Sequence, residues 1–330
     1  MHRFTMIPLF GLFVFTFALT ISLTINPLFA AEKIRFGLNW LPEGEHCGFL
    51  QAKAAGLYEK AGLDVELKPG GPDLNTPLLI AAGQLDLAIG TGFTTLNMVE
   101  EGIPALTVAA FFQKDPQTLV AHPDQGIAAL ADVKGRPAMI SAEARQEFWQ
   151  WLKFKFGFTD DQLRPFTYSA APFLADPKAI QQGYVTEDAL LRGLQMPKPP
   201  VILLLADYGF ENYTTTVFGL RSFIEKHRDA VRAFIDATRQ GYEACMAGDY
   251  DAGMKLLLKM NPDHGEALFH FKLKEMKARG LVDGGDAAKL GIGAMTDERW
   301  KSFFETMSAA GVWPAKLDYK SSYTLEFVKH

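Results

Sequence analysis

Aromatic and polar residues are concentrated in one short loop, Asn39–His46, which follows the first strand-like segment of the chain. The indole of Trp40 could stack on a flat ring through dispersion and apolar burial. His46 and Glu43 could hydrogen-bond the polar edge of a heteroaromatic ring, and Glu45 offers a second carboxyl group. The loop therefore predicts a site for a small aromatic molecule, although Trp40 could instead pack against its own domain.

Two helix starts offer further polar groups. Gly90-Thr91-Gly92-Phe93 follows a strand and opens a helix, where free backbone N–H groups favour an anion or a polar acceptor. We predict that Thr91 and Phe93 line the site, and Ser141 holds the equivalent place in the second half of the chain. Each hydroxyl is also explained as an ordinary helix cap, so both interpretations stay open.

The opposite wall of the site is predicted from residues at the ends of later strands. Gln113 stands where the chain leaves its first half, and Tyr184, Thr186 and Tyr208 follow later strands. The two tyrosines are candidate partners for a ligand ring. Trp149 belongs to an aromatic stripe at near-helical spacing, which is typical of a core.

Catalytic and metal-binding motifs are missing from the sequence. The seven His are scattered, and no spacing typical of a metal site, nucleophile elbow or phosphate loop occurs. Cys47 and Cys245 are the only cysteines; export would allow a disulfide, but the sequence favours two unpaired residues. We therefore predict no catalytic residues, no metal and no cofactor.

The elements that position these residues follow a β-α-β order. Strand-like segments at 34–38, 63–67, 85–89 and 105–112 alternate with helical segments at 49–60, 76–82 and from 94 onward. A second unit begins near Thr118, with strands at 119–121, 137–140, 165–168 and 201–206, and a further strand follows at 214–220. Its helices are predicted at 141–156 and 176–183, with a strand end at 184–186. This order implies an α/β fold with mostly parallel sheets flanked by helices.

The first thirty residues have the pattern of a leader peptide. A short basic start is followed by an uncharged stretch from Ile7 to Ala30, which is typical of a signal peptide cleaved near Ala30 or Ala31. The stretch is also long enough to remain as an uncleaved anchor. The chain has 330 residues and a net charge of −5 with no basic block, which gives a nucleic-acid partner no electrostatic support.

Several segments of the chain, taken together with their order and spacing, resemble the solute-binding proteins of ABC importers. The resemblance is to the group that handles thiamine pyrimidine precursors, nitrate, sulfonates and taurine. The resemblance covers about the whole mature chain. The matching segments are Asn39-Trp40-Leu41-Pro42 with His46, Gly56–Val65, Ala82–Gly90, Leu130–Gly135, Asn212–Val217 and Phe223–His227.

This resemblance implies a two-lobed periplasmic binding protein of type II. After a signal peptide at 1–31, residues 32–113 plus 214–330 would form lobe 1 and residues 114–213 lobe 2, with a hinge between them. It also implies a periplasmic monomer that is not an enzyme and delivers its ligand to an ABC permease and ATPase.

The ligand that fits the resemblance and the Trp40 loop best is a small aromatic N-heterocycle of the thiamine-pyrimidine-precursor type. Another solute (riboflavin-like, sulfonate, taurine or nitrate) is the alternative. A sulfonate would need an arginine, for which Arg145 or Arg136 is the nearby candidate. A pyrimidine-synthase-like enzyme is the rival from another class, but the cysteine-rich motif of that enzyme is absent.

Overall fold

The computed structural model describes residues 1–2, 31–71, 74–187, 196 and 198–328. The predicted signal peptide therefore lies almost entirely outside the described residues. All elements below belong to the compact unit that begins at Ala31. Among the described helices, none is both long and apolar enough to cross a membrane.

In the described part of the chain, the first sheet has five strands in the order β2-β1-β3-β10-β4. β1 runs parallel to β2 and β3, whereas β10 is antiparallel to both of its neighbours. Most of its residues are buried because helices cover the sheet. The strands are β1 Glu32–Gly37, β2 Leu63–Lys68, β3 Leu87–Gly90, β4 Ala105–Phe112 and β10 Thr214–Leu220.

The second sheet repeats this plan among the described residues, with the order β7-β6-β8-β5-β9. Its fourth strand, β5, is again the antiparallel one, and β6 runs parallel to β7 and β8. The α/β class with mostly parallel sheets is therefore confirmed. The strands are β5 Gln117–Ala121, β6 Ala138–Ile140, β7 Leu163–Pro165, β8 Ile180–Tyr184 and β9 Val201–Leu204.

Helices flank the two sheets. Those that precede β10 are α1 Cys47–Ala54, α2 Leu57–Lys60, α3 Thr76–Ala81, α4 Gly92–Glu100, α5 Ala142–Gln146, α6 Phe148–Phe156 and α7 Ala171–Ala175. Those that follow it are α8 Arg221–Lys226, α9 Arg228–Ala247, α10 Asp251–Met260, α11 Glu266–Ala278, α12 Ala287–Leu290 and α13 Asp297–Ala309.

Two local predictions for the second sheet are wrong. Residues 176–183 were expected to be helical, but Ile180–Tyr184 pairs with β5 along its whole length and also with β6. Pairing with neighbouring strands outweighs the weak strand propensity of this Gln- and Gly-containing segment. The single helix predicted at 141–156 is instead two helices, because Glu147 leaves helical geometry with φ −103° and ψ −105°.

Two stretches of chain cross between the sheets, at about 113–116 and 205–213. Arg299 of α13 holds both of them, since its Nη2 donates to the carbonyl of Gln113 at 2.6 Å and its Nε to that of Glu211 at 3.0 Å. Its guanidinium also lies 4.1 Å from the ring centroid of Tyr213. The division into two lobes at residues 113/114 and 213/214, with a hinge, stays a prediction.

A disulfide joins Cys47 to Cys245, with 6.4 Å between their Cα atoms, so the expectation of two unpaired cysteines is wrong. The reason is a close crossing of α1 and α9. A Cβ on Gly241 would lie 2.1 Å from the carbonyl oxygen of Gly48, so only glycine allows these helices to approach this closely. Cys245 lies one turn after Gly241 and is thereby brought to the start of α1.

Candidate ligand-binding site

A cavity of about 350 Å³ opens where the Asn39–His46 loop, the start of α5 and the end of β8 meet. Loops that follow strands converge here, as they do at many α/β binding sites. The lining combines aromatic rings with carboxyl groups. It comprises Asn39, Trp40, Glu43, Gly71, Leu74, Gln117, Ser141, Glu143, Ala144, Glu147, Phe166, Tyr168, Gln182, Gly183, Tyr184 and Glu187.

His46 shapes the loop from behind and is not among the lining residues. Its Nδ1 accepts a hydrogen bond from the backbone N–H of Glu43 at 3.2 Å, so Nε2 donates to Asn39 Oδ1 at 3.0 Å. Burial lowers the pKa of His46 to about 4, which keeps the ring neutral. The imidazole therefore fixes the two ends of the loop that present Asn39 and Glu43 to the cavity.

Trp40 and Tyr168 form an aromatic pair at the cavity. Their ring centroids are 6.0 Å apart and their planes differ by 26°. Trp40 follows β1, and Tyr168 lies between β7 and α7, where its backbone adopts a left-handed φ of 55°. The pair joins the two sheets' loops across the cavity and leaves Tyr168 more than half exposed.

One end of the cavity contains a buried ion-pair network. Lys272 of α11 lies 3.0 Å from Glu43 and 2.8 Å from Glu45, and only 2% of its side chain is exposed. Thr186 donates its hydroxyl hydrogen bond to Glu45. Burial opposes ionisation of Glu45, but Lys272 outweighs burial and lowers the pKa of that carboxyl group. Burial and the nearby Glu45 raise the pKa of Glu43 to about 8.

The other end of the cavity contains two acids without a lysine. The side-chain Nδ2 of Asn212 donates to Glu147 at 2.8 Å and to Asp115 at 3.2 Å. Burial raises the pKa of Asp115 to about 7, and burial together with Asp115 raises that of Glu147 to about 8. Asp115 and Asn212 belong to the two crossings, so this end of the cavity touches both.

The structure brings four of the predicted site residues to the cavity: Trp40, Glu43, Ser141 and Tyr184. Ser141 also caps α5, because its hydroxyl accepts from Ala144 N–H at 3.2 Å. Its own N–H donates to Gln182 Oε1 at 2.5 Å. Both interpretations of Ser141, as a cap and as a lining residue, therefore apply.

The other predicted residues lie away from this lining. Thr91 caps α4 by accepting from Thr94 N–H at 3.2 Å, and Phe93 packs on Trp313 with centroids 5.0 Å apart. Gln113 is buried and donates to the carbonyls of Ala110 and Ala294. Tyr208 packs edge-on against Phe156, and Thr186 and His46 support the loop from behind. Ligand contacts by these six residues stay a prediction.

Sequence reasoning missed several residues that build the site, among them Tyr168, Glu147, Gln182 and Lys272. Tyr168 is the last residue of the segment 165–168, which the sequence predicts as a strand, so its place at a strand end was an available signal. Lys272 is more than 220 residues from its two partners in the chain, and nothing in its helical surroundings distinguishes it from exposed lysines.

The cavity has no basic wall among its described lining residues, which include no Lys, Arg or His. Arg145, a candidate for a sulfonate, donates to the carbonyls of Ile140 and Arg164. Arg136, the other candidate, donates to those of Asp132 and Gln125. The two guanidinium groups are thus bound to backbone oxygens outside the lining.

A family model described as NMT1/THI5 like matches residues 43–252, more than half of the chain. The chain belongs to this family. The matched range includes Glu43, Glu45, Ser141 and β8, and it ends inside α10.

The relatives of this NMT1/THI5-like chain carry names that describe different functions. A Haemophilus influenzae protein named for thiamine biosynthesis is 28% identical over 180 residues, or 54% of this chain and 52% of that protein. The chain thus spans about half the length of this relative. The riboflavin-binding protein RibY of Chloroflexus aurantiacus is 22% identical over 90% of this chain and 86% of its own length.

The fold of this family member is that of periplasmic binding proteins. The periplasmic aliphatic sulphonate binding protein SsuA of Escherichia coli superposes with a TM-score of 0.66, covering 88% of this chain and 91% of that one. Sequence identity between the two is 14%, so the likeness shows the fold alone.

Proposed function

We propose that this protein is the substrate-binding component of an importer and captures a small aromatic N-heterocycle outside the cytoplasmic membrane. The observation that carries the proposal is the cavity itself. Its walls offer the faces of Trp40 and Tyr168 for stacking and several carboxyl groups for hydrogen bonds with ring nitrogens and amino groups. The periplasmic-binding-protein fold and a relative named as riboflavin-binding support the same direction.

The aromatic pair suggests how a ring enters. A ring between two others needs a centroid spacing of about 7 Å, twice the usual contact distance of about 3.5 Å. Trp40 and Tyr168 stand 6.0 Å apart, so Tyr168 needs to retreat by about 1 Å to admit a ring. Its exposed position on an irregular segment makes that shift inexpensive, since few buried contacts are lost.

Capture would be coupled to closure of two lobes about the crossings. A ligand that touches residues of both sheets favours the closed arrangement, because only that arrangement supplies all its contacts. A permease with its ATPase would receive the closed form, and a cleaved leader would place the protein in the periplasm. A thiamine pyrimidine precursor is the ligand we propose first.

The test is a thermal-shift and calorimetric screen of residues 32–330 against aminopyrimidines, flavins, sulfonates and nitrate. A ligand at 100 times its dissociation constant raises the stability by about 2.7 kcal/mol, which is a readable shift. We expect hits among the heterocycles. Hits confined to sulfonates or nitrate would contradict the proposal, as would chemical turnover of the bound heterocycle.

A flavin is the second candidate ligand, and the riboflavin-binding relative favours it because the match extends over most of both chains. A three-ring flavin is larger than a pyrimidine and would need the Trp40–Tyr168 pair to open much further. Calorimetry with riboflavin and with a single-ring aminopyrimidine separates the two candidates directly.

A further inference from the structure

Five carboxyl groups in or beside the cavity lie in two different electrostatic surroundings. Glu43 shares Lys272 with the buried Glu45, and Glu187 lies within the electrostatic influence of the same lysine. One buried ammonium thus provides positive charge to this end of the cavity. We refer to Glu43, Glu45, Glu187 and Lys272 as the lysine end.

At the opposite end, Glu147 and Asp115 share only a neutral amide. Asn212 gives both acids a hydrogen bond through its Nδ2, and its Oδ1 has no hydrogen-bond partner among the described residues. Asp115 is fully buried and also accepts from Gln117 N–H at 2.9 Å. We refer to Glu147, Asp115 and Asn212 as the amide end.

The cation that acts on Asp115 is Arg299, and it does not neutralise the amide end. Arg299 acts on Asp115 over a distance, but its N–H groups are directed to the backbone carbonyls of the crossings. It also lies 3.6 Å from Asp286. Burial, with Asp115 and Glu147 close by, raises the pKa of the Tyr184 phenol, so this neighbour of the two acids is neutral. None of these brings a positive charge to Glu147.

A metal ion does not fit this gap. Within the described residues, no group of three or more His, Cys, Asp or Glu side chains could hold one. The neighbouring walls are aromatic instead, with Trp40, Phe166, Tyr168 and Tyr184 around the same cavity. Aromatic faces attract organic cations, and the attraction strengthens when the cation is desolvated.

We infer that the cavity selects a heteroaromatic ligand that carries a positive charge, and that Glu147 accepts the charged group while Trp40 stacks on the ring. This inference rests on the proposed function and deepens it. An ammonium or amidinium group at the amide end would supply the counter-charge that the protein itself provides at the lysine end. Anionic ligands, such as sulfonates or phosphate esters, would meet carboxyl groups on both sides.

Three probes of nearly the same shape test the inference: 3-(aminomethyl)pyridine, pyridin-3-ylmethanol and pyridine-3-sulfonate. They carry a positive, a neutral and a negative group on one ring. Calorimetry at pH 7 should give an affinity for the amine at least about tenfold above that for the alcohol. The sulfonate should bind the most weakly of the three.

Glu147→Gln identifies the residue responsible, because it preserves the shape and the acceptor for Asn212 and removes the charge. The preference for the amine over the alcohol, measured as the ratio of their dissociation constants, should fall to about threefold or less. Glu101→Gln, at an exposed position beyond α4, is the matched control and should leave both affinities unchanged.

The outcomes separate this inference from the proposed function. If the alcohol or the sulfonate binds as tightly as the amine, the charge selection is overturned and ring capture stands. If the amine preference survives in Glu147→Gln, the assignment to the amide end is overturned. If none of the three probes binds, ring capture fails and this inference fails with it.

Discussion

The two ends of the cavity differ in how they accommodate buried carboxyl groups. Both contain carboxyl groups taken out of water, which is costly unless they are paired or neutral. At the lysine end, Lys272 supplies a positive charge that holds Glu45 ionised, although Glu45 Oε2 has no hydrogen-bond partner among the described residues. At the amide end, Asn212 holds Glu147 and Asp115 together but supplies no charge, so both acids have raised pKa values.

This difference indicates that one end of the cavity contributes mainly to stability and the other mainly to ligand recognition. The lysine end has its own positive charge without a ligand, and the disulfide at Cys47 and the hydrogen bonds of His46 hold the loop that forms it. The amide end is joined to both crossings and lacks only a positive charge. We expect substitutions at the first end to affect folding and those at the second to affect ligand choice.

The largest effect is expected from Lys272→Met, which removes the ammonium and leaves Glu43 and Glu45 buried without a positive charge beside them. Breaking a buried ion pair in this way costs about 3–5 kcal/mol of unfolding free energy. Urea denaturation at pH 7 measures the loss. Lys274→Met, at an exposed position of the same helix, should change stability by less than about 0.5 kcal/mol. Equal effects of the two substitutions would contradict the role given to Lys272.

Loss of the disulfide is the next largest expected effect and also belongs to the lysine end. Cys245→Ser should lower the free energy of unfolding by about 2–4 kcal/mol, because the unfolded chain loses its cross-link. A reducing agent should lower the wild-type stability to a similar level and leave the variant unchanged. Sensitivity of the variant to the reducing agent would show that the effect has another cause.

Trp40→Ala tests whether the indole ring of Trp40, in the cavity wall between the two ends, stacks on the ligand. Loss of the stacking face should weaken the binding of 3-(aminomethyl)pyridine by about 1–3 kcal/mol. Trp40→Phe keeps an aromatic face and should retain most of the affinity. Calorimetry of both variants measures this, and an affinity unchanged in Trp40→Ala would remove Trp40 from the site.

The smallest effect is a change in how stability depends on pH. The pKa of Glu147 is about 8 in the folded protein and about 4.3 in an unfolded chain, so the folded state holds the proton more tightly. The contribution of Glu147 to the free energy of unfolding is therefore most favourable at low pH and is lost as pH rises towards 8.

Glu147→Gln removes that titration. Relative to the wild type, the variant should gain stability as pH rises from 5 to 9, because only the wild type is destabilised as pH passes from the unfolded towards the folded pKa of Glu147. Urea denaturation at the two pH values gives the difference, and Glu101→Gln should show no such gain. A constant difference between wild type and Glu147→Gln would mean that Glu147 is ionised throughout.

The sequence predicts most of the fold because the alternation of strands and helices is local information. β1 to β4, the Trp40 loop and the cap at Ser141 follow from short-range patterns. The helix expected at 176–183 is a strand because pairing with β5 and β6 decides its conformation. The disulfide depends on two glycines, Gly48 and Gly241, at one helix crossing.

The charges of the site are harder to predict than its shape. Glu43 and Lys272 are 229 positions apart, and Asp115, Glu147 and Asn212 meet only because both crossings pass the start of α6. No local pattern marks such partners. A search for polar residues next to the predicted crossings could have found Asp115 and Asn212.

Recognition of a positive charge by Glu147 is measured most directly by the number of protons that the protein releases when it binds a cation whose charge does not titrate. Calorimetry of (pyridin-3-ylmethyl)trimethylammonium at pH 7, in two buffers with different heats of ionisation, gives this number. Because the cation favours the ionised form of Glu147, the wild type should release up to about one proton and Glu147→Gln almost none. Binding without proton release from the wild type, or equal release from both proteins, would show that Glu147 does not receive the charge of the ligand.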